Sequence, residues 1–383
     1  MKSSPFACNL LSYLHPRHRS SRARVFDAHS DIGVSPASHA FEAELAEKLQ
    51  KLSTKNIASS ELLSLSWLCQ AMDVVISTQA SMKQALCHGH TLSEANGHLE
   101  KMVKQCMEDS VKMLDVCRLL METLAGARAY IKASLLALKR LQGLNLGKRG
   151  DVERAKHTLL LARRQMQEGV LIRDESLNAS LAQLKATGFT KRLQACSSLL
   201  RSMGDKLPTP PAHCQSIHIG ALSTGSTMTA LYGGEICTIF FLRVLSKALS
   251  PTKGLCSSSS SITPLQLSKR PVWGPALLEL QAQLNTGRSL RSMRRQVQRG
   301  RTSLLELYTL DDPLHRIVES LPEATASDQA RKDVQDLVHS TSLLADHIQS
   351  SMARLHRQLD CISCSLLDIQ MTLLDSHLTM KKE

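Results

Sequence analysis

Aromatic side chains are scarce: Phe, Trp and Tyr together supply 3% of the 383 residues, whereas apolar residues of all kinds reach 43%. A core must then be built from Leu, Ala, Met, Val and Ile, types that favour helices or adapt to them, which argues against an all-β fold. No charged start followed by an apolar run and a small-residue cleavage site opens the chain. Its eleven cysteines therefore do not read as a secreted disulfide framework and are expected to be reduced. Cys69, Cys106 and Cys117 fall on apolar helix faces, where a thiol behaves as a small hydrophobe. The Asn178, Ala179, Ser180 triplet is a formal glycosylation sequon that reads as chance in this setting.

Catalytic signatures are missing as well. There is no Gly-x-Ser-x-Gly elbow and no His-Glu-x-x-His. Gly143, Gly147 and Lys148 depart from a phosphate loop: the glycines are one residue too close, Arg149 replaces the magnesium-binding hydroxyl, and no strand precedes them. Arg149, Gly150 and Asp151 read instead as a turn and a helix cap. Cys361 and Cys364 form a lone Cys-x-x-Cys inside a helical repeat, without a second pair at zinc spacing, and read as a core or interface pair. Cys87, His88 and His90 cluster in a loop without a fourth ligand nearby. No acid/base pair stands out. The sequence thus calls for no catalytic residue, no metal and no cofactor.

What is present is helical periodicity. From Ser327 to His377 apolar side chains recur every three or four residues, with Val334, Leu337, Thr341, Leu344, Ile348, Met352, Leu355, Leu359, Ile362, Leu366, Ile369 and Leu373 forming one stripe. Neither proline nor glycine interrupts it, which predicts one helix of roughly 75 Å. The stripe drifts at Met352, which suits a bundle better than a strict two-stranded seam. Similar spacing predicts helices over Phe41–Leu52, from Ser59 or Ser60 to Leu86, from Val103 to Leu141, from Val152 onward, and from Trp273 to Tyr308. A short break around Asp311, Asp312, Pro313 and Pro322 is expected before the final helix. The expected fold class is all-α, an elongated bundle of long amphipathic helices with coiled-coil-like packing.

The chain exceeds the roughly 250 residues at which one core usually stops growing. Composition divides it into a basic N-terminal tail or transit-like segment (1–38), an N-terminal helical part (39–203), a linker (204–227), an apolar helix (228–249), a Ser/Pro-rich linker (250–275) and a C-terminal helical part (276–383) packing on 39–203. Met228–Leu249 is the most apolar segment. Glu235, Arg243 and Lys247 interrupt it, each central charge carrying a penalty of roughly 2.5–3.5 kcal/mol in a bilayer, so a buried or membrane-touching helix is expected ahead of a span. The start contains Lys2, Arg17, Arg19, Arg22 and Arg24 and no acid before Asp27, the composition of a disordered tail or of a plastid transit segment. A cytoplasmic or peripheral membrane location is the other reading.

The formal charge is +13, which favours anionic partners. Its sharpest concentration is Arg288, Arg291, Arg294, Arg295, Arg299 and Arg301, six arginines with no acid between them. Arg288, Arg291, Arg295 and Arg299 share one helical stripe, and Leu290, Met293 and Val297 another. Such a helix can bind an acidic protein groove or anionic lipid. The alternative is a solvated face set against Asp346, Asp360 and Asp368 of the final helix. Nucleic acid is disfavoured because no aromatics are interleaved for stacking and no DNA-reading motif surrounds the stretch.

Three stretches carry a family resemblance. Phe41–Leu52 (FEAELAEKLQKL), Leu63–Met72 (LSLSWLCQAM) and Asp109–Leu120 (DSVKMLDVCRLL) resemble the opening helices of the plant Bypass-related family, with Leu65, Ser66, Trp67 and the Asp109, Ser110, Val111 helix start most specific. The later apolar segment and a leucine-rich final helix follow the family's order over most of residues 41–377. The resemblance implies an all-helical, non-enzymatic plant protein, similar to proteins that restrain a root-derived mobile signal and permit normal root and shoot growth. It supplies no catalytic residues. The residues themselves leave three classes open: a helical regulator binding partners through helix faces, an enzyme or carrier of a small signalling metabolite, and a membrane-associated adaptor.

Overall fold

The computed structural model describes residues 36–53, 62–88, 97–143, 149–167, 193, 195–207, 219–249, 271–295, 305–324 and 327–380. These form α1 (Pro36–Ser53), α2 (Leu65–His88), α3 (Gly97–Gly143), α4 (Arg149–Gln167), α5 (195–206), α6 (Ile219–Leu249), α7 (Gly274–Arg295), α8 (Leu305–Ala324) and α9 (Asp328–Met380). No strand occurs among the described residues, and the fold is an all-α bundle.

The 53-residue α9 is the longest helix, about 80 Å at 1.5 Å per residue. Its fully buried positions are Val334, Val338, Thr341, Ala345, Ile348, Met352, Leu355, Leu359, Ile362, Leu366, Ile369 and Leu373. Four- and three-residue steps alternate along that row without a break, so the expected drift at Met352 is absent. Val338 and Ala345 point inward where Leu337 and Leu344 were assigned, and the latter two lie only partly covered beside the seam. A repeat of 3.5 over this length makes α9 a coiled-coil-like strut.

α9 packs in the groove between α2 and α3. It runs parallel to α2: the Cys69 thiol lies 3.7 Å from the Ser351 carbonyl, and further along Lys83 meets Asp368 at 2.8 Å. It runs antiparallel to α3, where Cys117 adjoins Ser363 and Leu141 adjoins Val338. On the other side of the same two helices lies α6, antiparallel to α2, with Gln79 donating to Thr238 at 3.4 Å and Thr227 to the Ala85 carbonyl at 3.5 Å. The four helices make a bundle with α6 and α9 at opposite corners. α1 covers a third side of α6 and α7 packs on α1, while α8 packs on α9 and α4 on α3 and α8.

This placement explains why α6 is apolar all round. Its Gly225–Leu249 stretch is long and apolar enough to cross a membrane, yet 94% of the most apolar 18-residue window is buried inside the fold. Gly233 and Gly234 let its neighbours close in. A Cβ on Gly233 would sit 2.8 Å from Phe41 Cε1 of α1, and one on Gly234 2.6 Å from Met82 Sδ of α2.

Several boundaries differ from the sequence reading. α6 begins at Ile219 rather than Met228, its first turns being small residues that carry no apolar rhythm. Pro275 occupies the first turn of α7, where its missing N–H has no helical partner to lose. The expected break around Asp311 and Pro313 is helical: α8 contains both Pro313 and Pro322. Leu307, Leu310, Leu314, Ile317 and Leu321 form a buried stripe through them. Burying five such side chains, each worth about 1.5–3 kcal/mol, outweighs the ~3 kcal/mol of an interior proline.

α2 starts at Leu65, not at Ser59 or Ser60. The Ser64 hydroxyl accepts the Trp67 N–H at 3.1 Å, and the Leu65 N–H donates to the Glu306 carboxylate of α8. Leu63 precedes it at φ 66°, a left-handed conformation held while its side chain is buried. Trp67 also donates its indole N–H to the Leu52 carbonyl at 3.3 Å, fixing the end of α1 against the start of α2. The specificity of the Leu65, Ser66, Trp67 stretch thus has a structural source. Asp109, taken above as a helix start, is instead interior to α3.

Candidate functional site

The helix α7 extends through Arg295, which places residues 288, 291 and 295 on one side of a regular helix by position. The side chains of Arg288, Arg291, Arg294 and Arg295 are outside the described residues, as are Arg299 and Arg301 altogether. Two of the three acids expected opposite them pair elsewhere. Asp368 pairs with Lys83 of α2 at 2.8 Å and Asp360 with His356 at 3.1 Å. α7 has α1 as its main packing partner, Gln283 donating to the Ser53 carbonyl at 2.9 Å.

A surface that the sequence reading did not separate is the back of α9. Opposite the buried seam, Leu367, Met371, Leu374 and Leu378 are 50%, 58%, 36% and 49% exposed, at steps of four, three and four. Over the preceding heptads this outer row is mostly polar, with His339, Asp346, Ser350, Arg357 and Asp360. Apart from Leu343, 59% exposed, its large apolar residues lie past Cys364. Scattered exposed leucines are ordinary, but a row at heptad spacing has the form of a helix-docking face. Cys361 and Cys364 are both exposed beside this row, so they are not core residues. Each falls outside the inward positions of the 3.5 repeat.

Inside the bundle, α6 brings Glu235 to α3. Glu235 is 3% exposed, and its Oε1 has no hydrogen-bond partner. Burial pushes its carboxyl well above the ordinary range, Asp109 adds to the shift, and Lys112 opposes it. Asp109 is itself fully buried but satisfied: Lys112 donates at 2.7 Å and Gln105 at 2.9 Å. Beside them Cys106 is raised far above a normal thiol, chiefly by burial. Lower along α6, Arg243 is buried and its guanidinium shifted down by burial and by Arg201, with Asp205 opposing. Glu235 and Arg243 are therefore interior groups facing α3 and α5, while Lys247 is only partly buried.

No group of three or more His, Cys, Asp or Glu side chains suited to a metal occurs among the described residues. Cys87 is exposed at the end of α2, and His90 lies outside the described residues. The groove between the end of α3 and the start of α9, lined by Leu141, Gln142, Gln335, Val338 and His339, holds about 200 Å³. Small-molecule sites usually span about 300–1,000 Å³.

Fold and site together define an all-α bundle with a long heptad helix and an apolar outer face. The chain is similar to proteins of the plant Bypass-related family. A family model described as "Protein ROH1-like" matches residues 19–206. Protein ROH1A of Arabidopsis thaliana is 28% identical over 103 residues, 27% of this chain and 25% of that protein. Protein BPS1, chloroplastic, also of Arabidopsis thaliana, is 21% identical over 345 residues, 90% of this chain and 84% of that protein. The second match covers most of the chain, whereas the family model ends with α5. No solved structure matches the chain.

Proposed function

We propose that the protein is a non-catalytic helical regulator of plant development that works by holding a partner helix on the outer face of α9. The observation that supports this is the Leu367, Met371, Leu374, Leu378 row, exposed at heptad spacing on a helix whose inner seam is already filled. Its likeness to the Bypass-related relatives supports the developmental setting, including restraint of a root-derived mobile signal with effects on root and shoot growth. The arginines at the end of α7 supply a second surface, suited to an acidic protein face or anionic lipid.

The test is capture of tagged protein from plant tissue, wild type beside Leu367→Glu/Met371→Glu. Specific partners are expected with the first and lost with the second at unchanged helicity. An identical set of partners from both would remove the α9 face from the proposal. One relative bears the word chloroplastic, and the basic, serine-containing stretch before Asp27 has a composition that plastid import accepts. A fluorescent fusion of the whole chain decides this: plastid signal supports import, and cytoplasmic signal opposes it.

A further inference from the structure

We infer that the outer face of α9 docks a second copy of this chain, the two α9 helices pairing in parallel and in register from Cys364 to Leu378. This rests on reading that face as a docking surface and names its occupant.

The face selects by apolar contact and not by charge. Cys364 stands one three-residue step before Leu367, so the exposed side chains of Cys364, Leu367, Met371, Leu374 and Leu378 keep a 3.5 repeat over roughly 21 Å. The acids beside them are engaged within the chain. Lys83 holds Asp368 at 2.8 Å, His356 holds Asp360 at 3.1 Å where the apolar seam ends, and Asp375 is engaged as well. A basic partner helix therefore finds no free carboxylate here. The surface that matches an apolar row with no charge left to satisfy is the same row on another copy, a self-complementary contact closed by a two-fold axis.

The flanks of the row set its direction. In a parallel pair Ser363 of one copy lies across from Asp368 of the other, and Gln370 across from Asp375, so a hydroxyl and an amide face each carboxylate. Antiparallel alignment over the same layers instead sets Asp368 against Asp368 or Asp375 of the other copy, acid against acid. Space is available. α8 flanks α9 only as far as Ser351, because Glu306 at its start meets the Leu65 N–H beside Cys69, and the Cys69 thiol adjoins the Ser351 carbonyl. Both helices are already formed against α2 and α3, so pairing requires no helix nucleation.

This arrangement brings the two Cys364 thiols face to face. Within one chain Cys361 and Cys364 are helix neighbours with Cβ atoms roughly 5–6 Å apart, whereas a disulfide needs about 3.5–4.5 Å. A small disulfide such as oxidised glutathione therefore joins copies. The thiolate of one Cys364 displaces a glutathione thiolate to form a mixed disulfide, and the thiolate of the second Cys364 displaces the other. One S–S bond replaces another, and two glutathione thiols leave.

The experiment pairs sedimentation velocity on the reduced full-length protein with cross-linking by oxidised glutathione and peptide mapping. Wild type should show a concentration-dependent dimer with no larger species, little changed by salt. Leu367→Glu/Met371→Glu should weaken it at least about tenfold at unchanged circular dichroism, since like charges then meet at two layers. The cross-link should be Cys364 to Cys364, kept in Cys361→Ser and lost in both Cys364→Ser and Leu367→Glu/Met371→Glu. Loss in the latter, whose Cys364 is intact, separates docking from random collision. Wild type that stays monomeric at every concentration, with no more cross-link than the glutamate variant, overturns the second copy as occupant. If tissue partners are still lost on Leu367→Glu/Met371→Glu, the docking face itself survives. A dimer that cross-links through Cys87 or Cys361 in place of Cys364 overturns the parallel register.

Discussion

Glu235 of α6 and Asp109 of α3 bring two buried carboxyls to one helix interface, and only Asp109 has hydrogen-bond donors, Lys112 and Gln105. Burial and the neighbouring aspartate keep Glu235 in its protonated form well above the usual carboxylate range. The unfolded chain releases that proton near the ordinary glutamate value of 4.5. Between that value and the raised one the folded state binds more protons than the unfolded state, so stability is fully present at acid pH and is lost as pH rises. Glu235→Gln removes this slope. Its advantage over wild type in denaturant melts should be smallest near pH 5 and grow by at most about 1.4 kcal/mol per pH unit above that. Parallel curves for the two proteins from pH 5 to pH 9 would contradict the assignment.

Thiol chemistry should divide the cysteines by position. Burial pushes the Cys69 thiol to about 11 and those of Cys117 and Cys237 to about 12, which removes the reactive thiolate at neutral pH. Cys87, Cys361 and Cys364 are exposed. Brief alkylation of the native protein followed by peptide mapping should modify these three and spare Cys69, Cys106, Cys117 and Cys237 until the chain is unfolded.

The glycine pair of α6 should respond unequally to alanine. Any Gly→Ala change inside a helix gains about 1 kcal/mol of propensity. At Gly234 the obstructing atom is the Met82 thioether, which can swing aside, so Gly234→Ala should be close to neutral. At Gly233 the obstruction is the Phe41 ring, backed by Leu45 at 3.4 Å. Overpacking of about 1–3 kcal/mol should then prevail, and Gly233→Ala should melt below wild type.

Two leucines on α9 separate its faces. Leu359 is fully buried in the seam and Leu367 is 50% exposed. Leu359→Ala should cost about 2–5 kcal/mol in denaturant unfolding. Leu367→Ala should stay within about 0.5 kcal/mol of wild type while weakening capture of the partner proposed for this face.

The same helix shows what a sequence discloses about a fold. Its existence and length were legible because no glycine or proline intervenes between Ser327 and Met380. Its facing was less so. Leu337 and Val338 are adjacent and both apolar, as are Leu344 and Ala345, and only the position of α3 decides which member turns inward. α8 was hidden by Pro313 and Pro322, since local propensity argues against a helix there and only burial against α9 overrides it. Glu235 was visible as an interruption of an apolar run. Its partner was not, because nothing in the spacing of α3 shows which of its turns meets α6. The apolar row of Leu367 and Met371 was merged with the leucines of the seam, as the two sets interleave every few residues.

The parallel pairing of α2 with α9 has a consequence for biosynthesis. Gln358 donates to the Cys69 carbonyl across 289 positions of sequence. A ribosome therefore finishes α2, α3 and α6 long before the helix that fills the groove between α2 and α3 emerges. During that interval Cys69 of α2 and Cys117 and Leu141 of α3 have no strut beside them. Nascent chains stalled before Asp328 should recruit holdase chaperones, and release through α9 should discharge them.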